Sequence, residues 1–319
     1  MAMRTQEITV GVDISKGWFD AAVDDSQAVE RVPNEAKAIE RWLGRFTAPV
    51  QLALEPTGGY HEALARLAHA AGHRVYLVDP FRLSRYRGAT GRRAKTDKID
   101  AQLLRRYLEK EGPELRPWQP VSAGAYRLWQ LLKRRTVVVK AQVQLRQSFD
   151  GVADLKKAVA SSLAPMTLLL KEIDRRLQEE AEALGWSDQL RRLRKVPSVG
   201  PLTAVALVAA YDRGTFSSAD QFVAFLGLDV RVRDSGKSRG KRKLTKKGEP
   251  ELRRLLYLAA MSASRTPRWQ GYYRQLRERG LSSTAAFVAL SRKLVRLAYA
   301  LLRDGTSYEP ERRRACAQP

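Results

Sequence analysis

Cysteine is almost absent from this 319-residue chain. Cys316 is the single one, which excludes an internal disulfide and any cysteine-cluster zinc site. Histidine is scarce too: His61, His69 and His73 fall in one short segment. The i, i+4 spacing of His69 and His73 is read as polar helix positions rather than a ligand pair. No apolar run reaches the roughly 20 residues needed to span a bilayer; the longest is LTAVALVAAY. The N-terminal MAMRTQEITV lacks the apolar core of a signal peptide, which predicts a cytoplasmic location. Negative charge is also in short supply, with 34 Asp+Glu against 58 Lys+Arg and a formal net charge of +24. That balance predicts a polyanionic partner, nucleic acid before a membrane surface. A hydrophobic content of 44% excludes global disorder.

In a chain so poor in acids, four carboxylates stand where folding alone does not require them. Asp13 ends the apolar run ITVGVDI, and Glu55 ends VQLALE just before the turn residues PTGG. Asp97 and Asp100 form the pair TDKIDA at the expected start of a helix, where i and i+3 share a face. Divalent cations prefer oxygen ligands, and two-metal phosphoryl transfer needs several of them. Without cations such a cluster would repel itself. Taken singly, Asp97 or Asp100 reads as a helix cap; taken together, the four read as a metal site.

The N-terminal part predicts strand, strand, strand, helix, strand, helix, strand, helix: an α/β fold with a mixed sheet and packed helices. Asn34 is the expected N-cap of EAKAIERWLGRF, and Gly72 ends HEALARLAHAAG. The basic, glycine-containing stretch FRLSRYRGATGRRAK reads as a loop before the helix from about Thr96. Residues 1–120 form this expected domain. From 121 to 187 glycine nearly vanishes. Leu163, Met166, Leu170, Ile173, Leu177 and Leu184 follow 3–4 spacing, and Leu131, Val138, Leu145 and Val152 repeat every seven residues. These predict a coiled coil of two long helices broken around Ser161 to Pro165. Residues 188–308 predict a mainly α domain, with 309–319 as a tail.

The last domain carries two further signals. VPSVGPLTA is a glycine-containing turn between helices, able to offer backbone N–H groups to a phosphate. Between Arg231 and Lys247 lie nine basic residues: Arg231, Arg233, Lys237, Arg239, Lys241, Arg242, Lys243, Lys246 and Lys247. Such a run predicts phosphate contacts. Ser235, flanked by Arg233, Gly236 and Lys237, is a candidate nucleophile, because nearby cations favour an alkoxide.

Together these segments resemble the DEDD-type transposases of insertion sequences, related to the Piv-type DNA invertases and including bridge-RNA-guided recombinases. GVDISK, LEPTGGYH and AKTDKIDAQLL match the acidic motifs, and VPSVGPLTAVAL, FVAFLGL, DSGKSRGKRKLTKKG and ELRRLLYLAA match the C-terminal domain in order. The resemblance covers nearly the whole chain. It implies an RNase H fold of the RuvC-like kind for residues 1–120, with Asp13, Glu55, Asp97 and Asp100 binding Mg²⁺ or Mn²⁺. It implies a coiled coil that helps build dimers and tetramers, and Ser235 as a nucleophile forming a phosphoserine bond to DNA. Acids and serine would come from different subunits. The implied partners are donor and target DNA and a noncoding bridge RNA, with no membrane, and the protein would sit on the nucleoid when acting. Two departures stand out: Ser198-Val199-Gly200 where Gly-x-Gly is common, and Asp79 where Asn often precedes the proline. Ser238 lies close enough to rival Ser235. A metal-dependent nuclease or resolvase, and a non-catalytic nucleic-acid-binding protein, are the alternative readings.

Overall fold

The computed structural model describes residues 8–23, 28–56, 58–90 and 97–309, apart from 232–233, 236–237 and 240–241. For residues 97, 98, 234, 235, 238 and 239 it describes the backbone alone. The chain divides into two compact units, Met1–Pro120 and Val121–Pro319.

The first unit is built on a five-stranded sheet of order β3-β2-β1-β4-β5. β1 (Thr9–Ile14), β2 (Trp18–Ala22) and β3 (Glu30–Pro33) form an antiparallel meander. β4 (Gln51–Leu54) and β5 (Arg74–Leu77) then run parallel to β1, as their intervening helices require. Those helices are α1 (Ala36–Leu43) and α2 (Glu62–Ala70). Alternation along β1 sends Val10, Val12 and Ile14 into one core with Ile39 and Trp42 of α1 and Leu64 of α2. The opposite sheet face, marked by Ala53 and Tyr76, packs on Leu83 and on Leu103, Leu104 and Tyr107. The last three belong to α4 (Asp97–Glu111).

The expected strand and helix order is present, with two local corrections. The stretch read as a loop begins with α3 (Pro80–Ala89). Asp79 caps it, its Oδ1 accepting from the N–H of Phe81 at 2.8 Å and of Arg82 at 3.1 Å, and Pro80 takes the first helical position. Only Leu83 of that helix is buried, so no apolar period betrayed it. Asn34 does not cap α1, which starts from Glu35 without a side-chain cap. Its Nδ2 instead donates to the carbonyls of Ser15 at 3.0 Å and Tyr60 at 3.1 Å, tying two loops together.

The second unit opens with the helical hairpin α5 (Ala123–Ser148) and α6 (Lys156–Ala183). Arg135 pairs with Asp174 and Gln142 donates to Thr167, so the two helices run antiparallel. The expected break at Ser161 to Pro165 is absent: Pro165 lies inside α6, and the turn comes earlier, around Gly151 with φ of 84°. Burial of Leu163, Ile173 and Leu177 along α6 outweighs the roughly 3 kcal/mol a helical proline costs. Met166, Leu170 and Leu184 of the expected seam are half-buried, as are Leu131, Val138 and Leu145, while Val152 is exposed.

A helical body follows. α7 (Ser187–Arg194) leads through Ser198 to α8 (Pro201–Tyr211), buried at every position from Thr203 to Ala210. α9 (Ala219–Phe225) is capped by Ser218, whose hydroxyl accepts from Gln221 N–H. α10 (Pro250–Ala263), α11 (Pro267–Glu278) and α12 (Ser283–Asp304) complete the core around Leu256, Leu290 and Tyr299. Between α9 and α10 the basic run forms a β-arm. β6 (Val230–Arg231) pairs antiparallel with β9 (Lys243–Leu244), and β7 (Asp234–Ser235) with β8 (Ser238–Arg239). At its root Gly227 and Gly248 meet. A Cβ on Gly227 would lie 2.5 Å from Gly248 N, and one on Gly248 2.3 Å from the Leu226 carbonyl carbon. The expected tail falls, after Glu309, outside the described residues.

Candidate active-site cleft and basic arm

Residues that share a strand face end up in one cleft. Gly11 and Asp13 alternate with the core-facing valines of β1; Ala53 of β4 pairs with Gly11, and Glu55, the residue just past the end of β4, follows Ala53 by two positions. This is the face that α4 covers. Gly11 makes the approach possible: a Cβ there would stand 2.0 Å from the Ala101 carbonyl and 2.3 Å from Arg105 N, both backbone atoms of α4. The helix that carries Asp97 and Asp100 is therefore drawn onto the strand that carries Asp13. The resulting cleft, about 480 Å³, is lined by Asp13, Asp20, Glu55, Arg87 and Asp100, together with Ser15, Trp18 and Ser84.

Three of the four expected carboxylates thus line one cleft. The Asp97 side chain lies outside the described residues, although its backbone opens α4 three residues before Asp100. Two cleft residues carry no signal in the sequence. Asp20 is the direct cross-strand partner of Asp13 and is only 2% exposed. Arg31 holds it in a fork, Nε to Oδ1 at 2.9 Å and an NH2 donor to Oδ2 at 2.8 Å. Arg87, on α3, donates to Asp100 Oδ1 at 2.6 Å. Finding either residue requires knowing the strand register and that α3 is a helix.

A cleft lined by oxygen donors matches the ligand chemistry of Mg²⁺ or Mn²⁺. The pairing of Asp100 with a guanidinium shows that positive charge is already accommodated there. Among the described residues no three acidic groups stand close enough to enclose an ion. Asp79, the extra carboxylate near the motif, does not line the cleft and acts as a helix cap. Nor do the histidines form a pair. His69 Nε2 lies 3.0 Å from Gln119 Oε1, whereas buried His73 accepts the Val50 N–H through Nδ1 at 3.2 Å. Burial pushes His73 below its ordinary pKa.

The arm displays positive charge. Arg231, Arg242, Lys243, Lys246 and Lys247 are exposed. Arg239 is described by its backbone, and Arg233, Lys237 and Lys241 lie outside the described residues. Ser235 and Ser238 are ladder partners, so the two candidate nucleophiles sit directly opposite each other on β7 and β8. In the interhelical turn Ser198 adopts φ of 73°, the left-handed conformation glycine favours.

An acidic cleft and a basic arm suit an enzyme that acts on a polyanion, and similarity to known proteins places the chain among DNA transposases and recombinases. Residues 10–155 match a DEDD-type model described as a transposase, and residues 190–274 match the Transposase IS116/IS110/IS902 family. A pilin gene-inverting protein of Moraxella bovis is 29% identical, covering 94% of this chain and 97% of the relative. A probable family 20 transposase of Pseudomonas aeruginosa is 26% identical over 94% of this chain and 98% of its own. An insertion element IS110 protein of Streptomyces coelicolor is 29% identical over 66% of this chain and 54% of its own. The chain belongs to the DEDD-type insertion-sequence transposases.

Proposed function

We propose that the protein cuts and rejoins DNA through a covalent phosphoserine intermediate. The observation that carries this reading is the convergence of Asp13, Glu55 and Asp100 on one cleft. The strand order β3-β2-β1-β4-β5, with one antiparallel meander and a parallel remainder, supports an RNase H fold of the RuvC-like kind for residues 1–120. Asp13, Glu55, Asp97 and Asp100 would hold Mg²⁺ or Mn²⁺. When bound, the cation supplies a Lewis acid that lowers the serine hydroxyl pKa and steadies charge on the departing oxygen.

Ser235 is the proposed nucleophile. Its Oγ forms a bond to phosphorus as one ester P–O bond breaks; the serine gives its proton to solvent, the departing oxygen takes one from solvent, and the strand leaves with a free hydroxyl. One phosphoester replaces another, so the reverse attack reseals the strand without an outside energy source. Arg231, Arg233, Lys237, Arg239, Lys241, Arg242, Lys243, Lys246 and Lys247 would hold nucleic acid backbone. The partners in this reading are donor and target DNA and a noncoding bridge RNA whose base pairing selects the sites. Residues 121–187 would act as a coiled coil in a homodimer or tetramer. Exposed Val137 and Leu168, at 61% and 66%, support that role. Residues 188–308 would form the serine-bearing domain.

A suicide DNA substrate tests the chemistry. The wild type is expected to yield a covalent adduct that Ser235→Ala lacks. An adduct that persists in Ser235→Ala and vanishes in Ser238→Ala moves the role to Ser238. No adduct in the wild type, with cleavage intact, replaces the reading by hydrolysis. Sequencing RNA that copurifies with the protein tests the guide.

A further inference from the structure

Among the described residues, one cation, Arg87, lines the acidic cleft. Arg87 reaches from α3 to Asp100 at 2.6 Å, with both side chains largely buried, at 17% and 8% exposure. Its Nε is buried and has no hydrogen-bond partner among the described residues, so the guanidinium is only partly satisfied in this position. A forked donor set of that kind is suited to a phosphate, which offers several oxygens in place of one. Arg87 thus stands between two anions that can claim it: the Asp100 carboxylate and a DNA phosphate entering the cleft.

We infer that Arg87 is a positioning residue that couples metal binding to DNA binding. While paired with Asp100, it opposes a divalent cation at that carboxylate by occupying the oxygen and by placing like charge beside it. A DNA phosphate draws the guanidinium away, and the Asp100 oxygen that it held becomes available to the cation. By thermodynamic reciprocity, DNA then raises affinity for the cation and the cation raises affinity for DNA. The protein would load metal in earnest only when DNA is in place, which guards against stray cutting. This inference rests on the metal-site reading of the same cleft.

The test measures Mn²⁺ binding to the full chain by the paramagnetic resonance of free Mn²⁺, with and without a DNA duplex. No catalysis is read. Arg87→Gln is expected to bind Mn²⁺ about tenfold more tightly than wild type without DNA, and to lose most of the tightening that DNA produces in wild type. Arg87→Lys, which keeps the charge but not the fork, is expected to fall between them and serves where Arg87→Gln does not fold. Affinities equal to wild type in these variants overturn the inference alone, provided that Asp13→Asn weakens Mn²⁺ binding. Binding that ignores Asp13→Asn overturns the metal-site reading and the inference with it.

Discussion

Asp13 and Asp20 stand directly opposite each other on adjacent antiparallel strands, and Arg31, the next residue across the sheet, neutralises the second of them. The row Asp13–Asp20–Arg31 lets a nearly buried carboxylate sit beside the proposed metal ligand without adding its full charge to the cleft. Arg31 is half exposed and also lies over the Trp18 ring at 4.9 Å. Arg31→Gln leaves Asp20 buried and unpaired. It is expected to destabilise the first unit by about 1–3 kcal/mol, less than a fully buried pair because Arg31 is partly solvated. The added change Asp20→Asn should recover most of that loss. Urea unfolding of the two variants measures both effects.

Gly11→Ala is expected to hurt more than any alanine in the sheet core. Its Cβ meets α4 backbone, which has no rotamer to escape through. Either α4 lifts or β1 bends, at a penalty above about 2 kcal/mol. Asp100 then shifts relative to Asp13, and a displacement of an ångström at a reacting centre reduces rate on the order of 100-fold. DNA strand-cleavage assays beside thermal melts distinguish this from a purely structural defect: the activity loss should exceed the loss of folded protein.

Acid should weaken the first unit through His73. Burial holds its folded pKa below the ordinary 6.5, and the Val50 N–H occupies the Nδ1 lone pair that a proton would need. Below about pH 6.5 the unfolded chain therefore binds more protons than the folded one. The stability that neutral His73 contributes is complete above that value and declines as pH falls through it. The slope is at most about 1.4 kcal/mol per pH unit. His73→Asn should be less stable at pH 7.5, and its melting temperature should fall less between pH 7.5 and 5.5.

Replacing Arg242, Lys243, Lys246 and Lys247 by glutamine is expected to weaken DNA binding nearly equally for all sequences. The slope of log affinity against log salt should become shallower by about one unit for each lost phosphate contact. Fluorescence anisotropy across a salt series reads it. An unchanged slope would remove the arm from the interface.

Much of this architecture was legible residue by residue. ITVGVDI and VQLALE announce strands because both are short apolar runs, the first rich in β-branched residues. The i, i+3 spacing of Asp97 and Asp100 survives as a helix start. Arg87 escaped notice because α3 is studded with arginines and buries one leucine, so its helical period is silent. Asp20 escaped because cross-strand register is not written in either strand alone. The arm's strands are two residues each and polar, too short for alternation to register. Ser198 shows the reverse case: a departure from the usual glycine was visible at once, but its left-handed backbone, worth roughly 1–2 kcal/mol of strain, was not.

The meeting of Gly227 with Gly248 has a consequence for how such proteins diversify. The 20 residues between them leave the helical body and return to nearly the same point, and the body holds them at the root, where Leu228 is buried in its core and Leu244 packs against it. Lengthening a loop whose ends already touch is thermodynamically mild, about 0.6 kcal/mol for each doubling. The arm can therefore be lengthened or recharged on either side of Ser235, the proposed nucleophile, while α9 and α10 keep their packing, so long as both glycines stay.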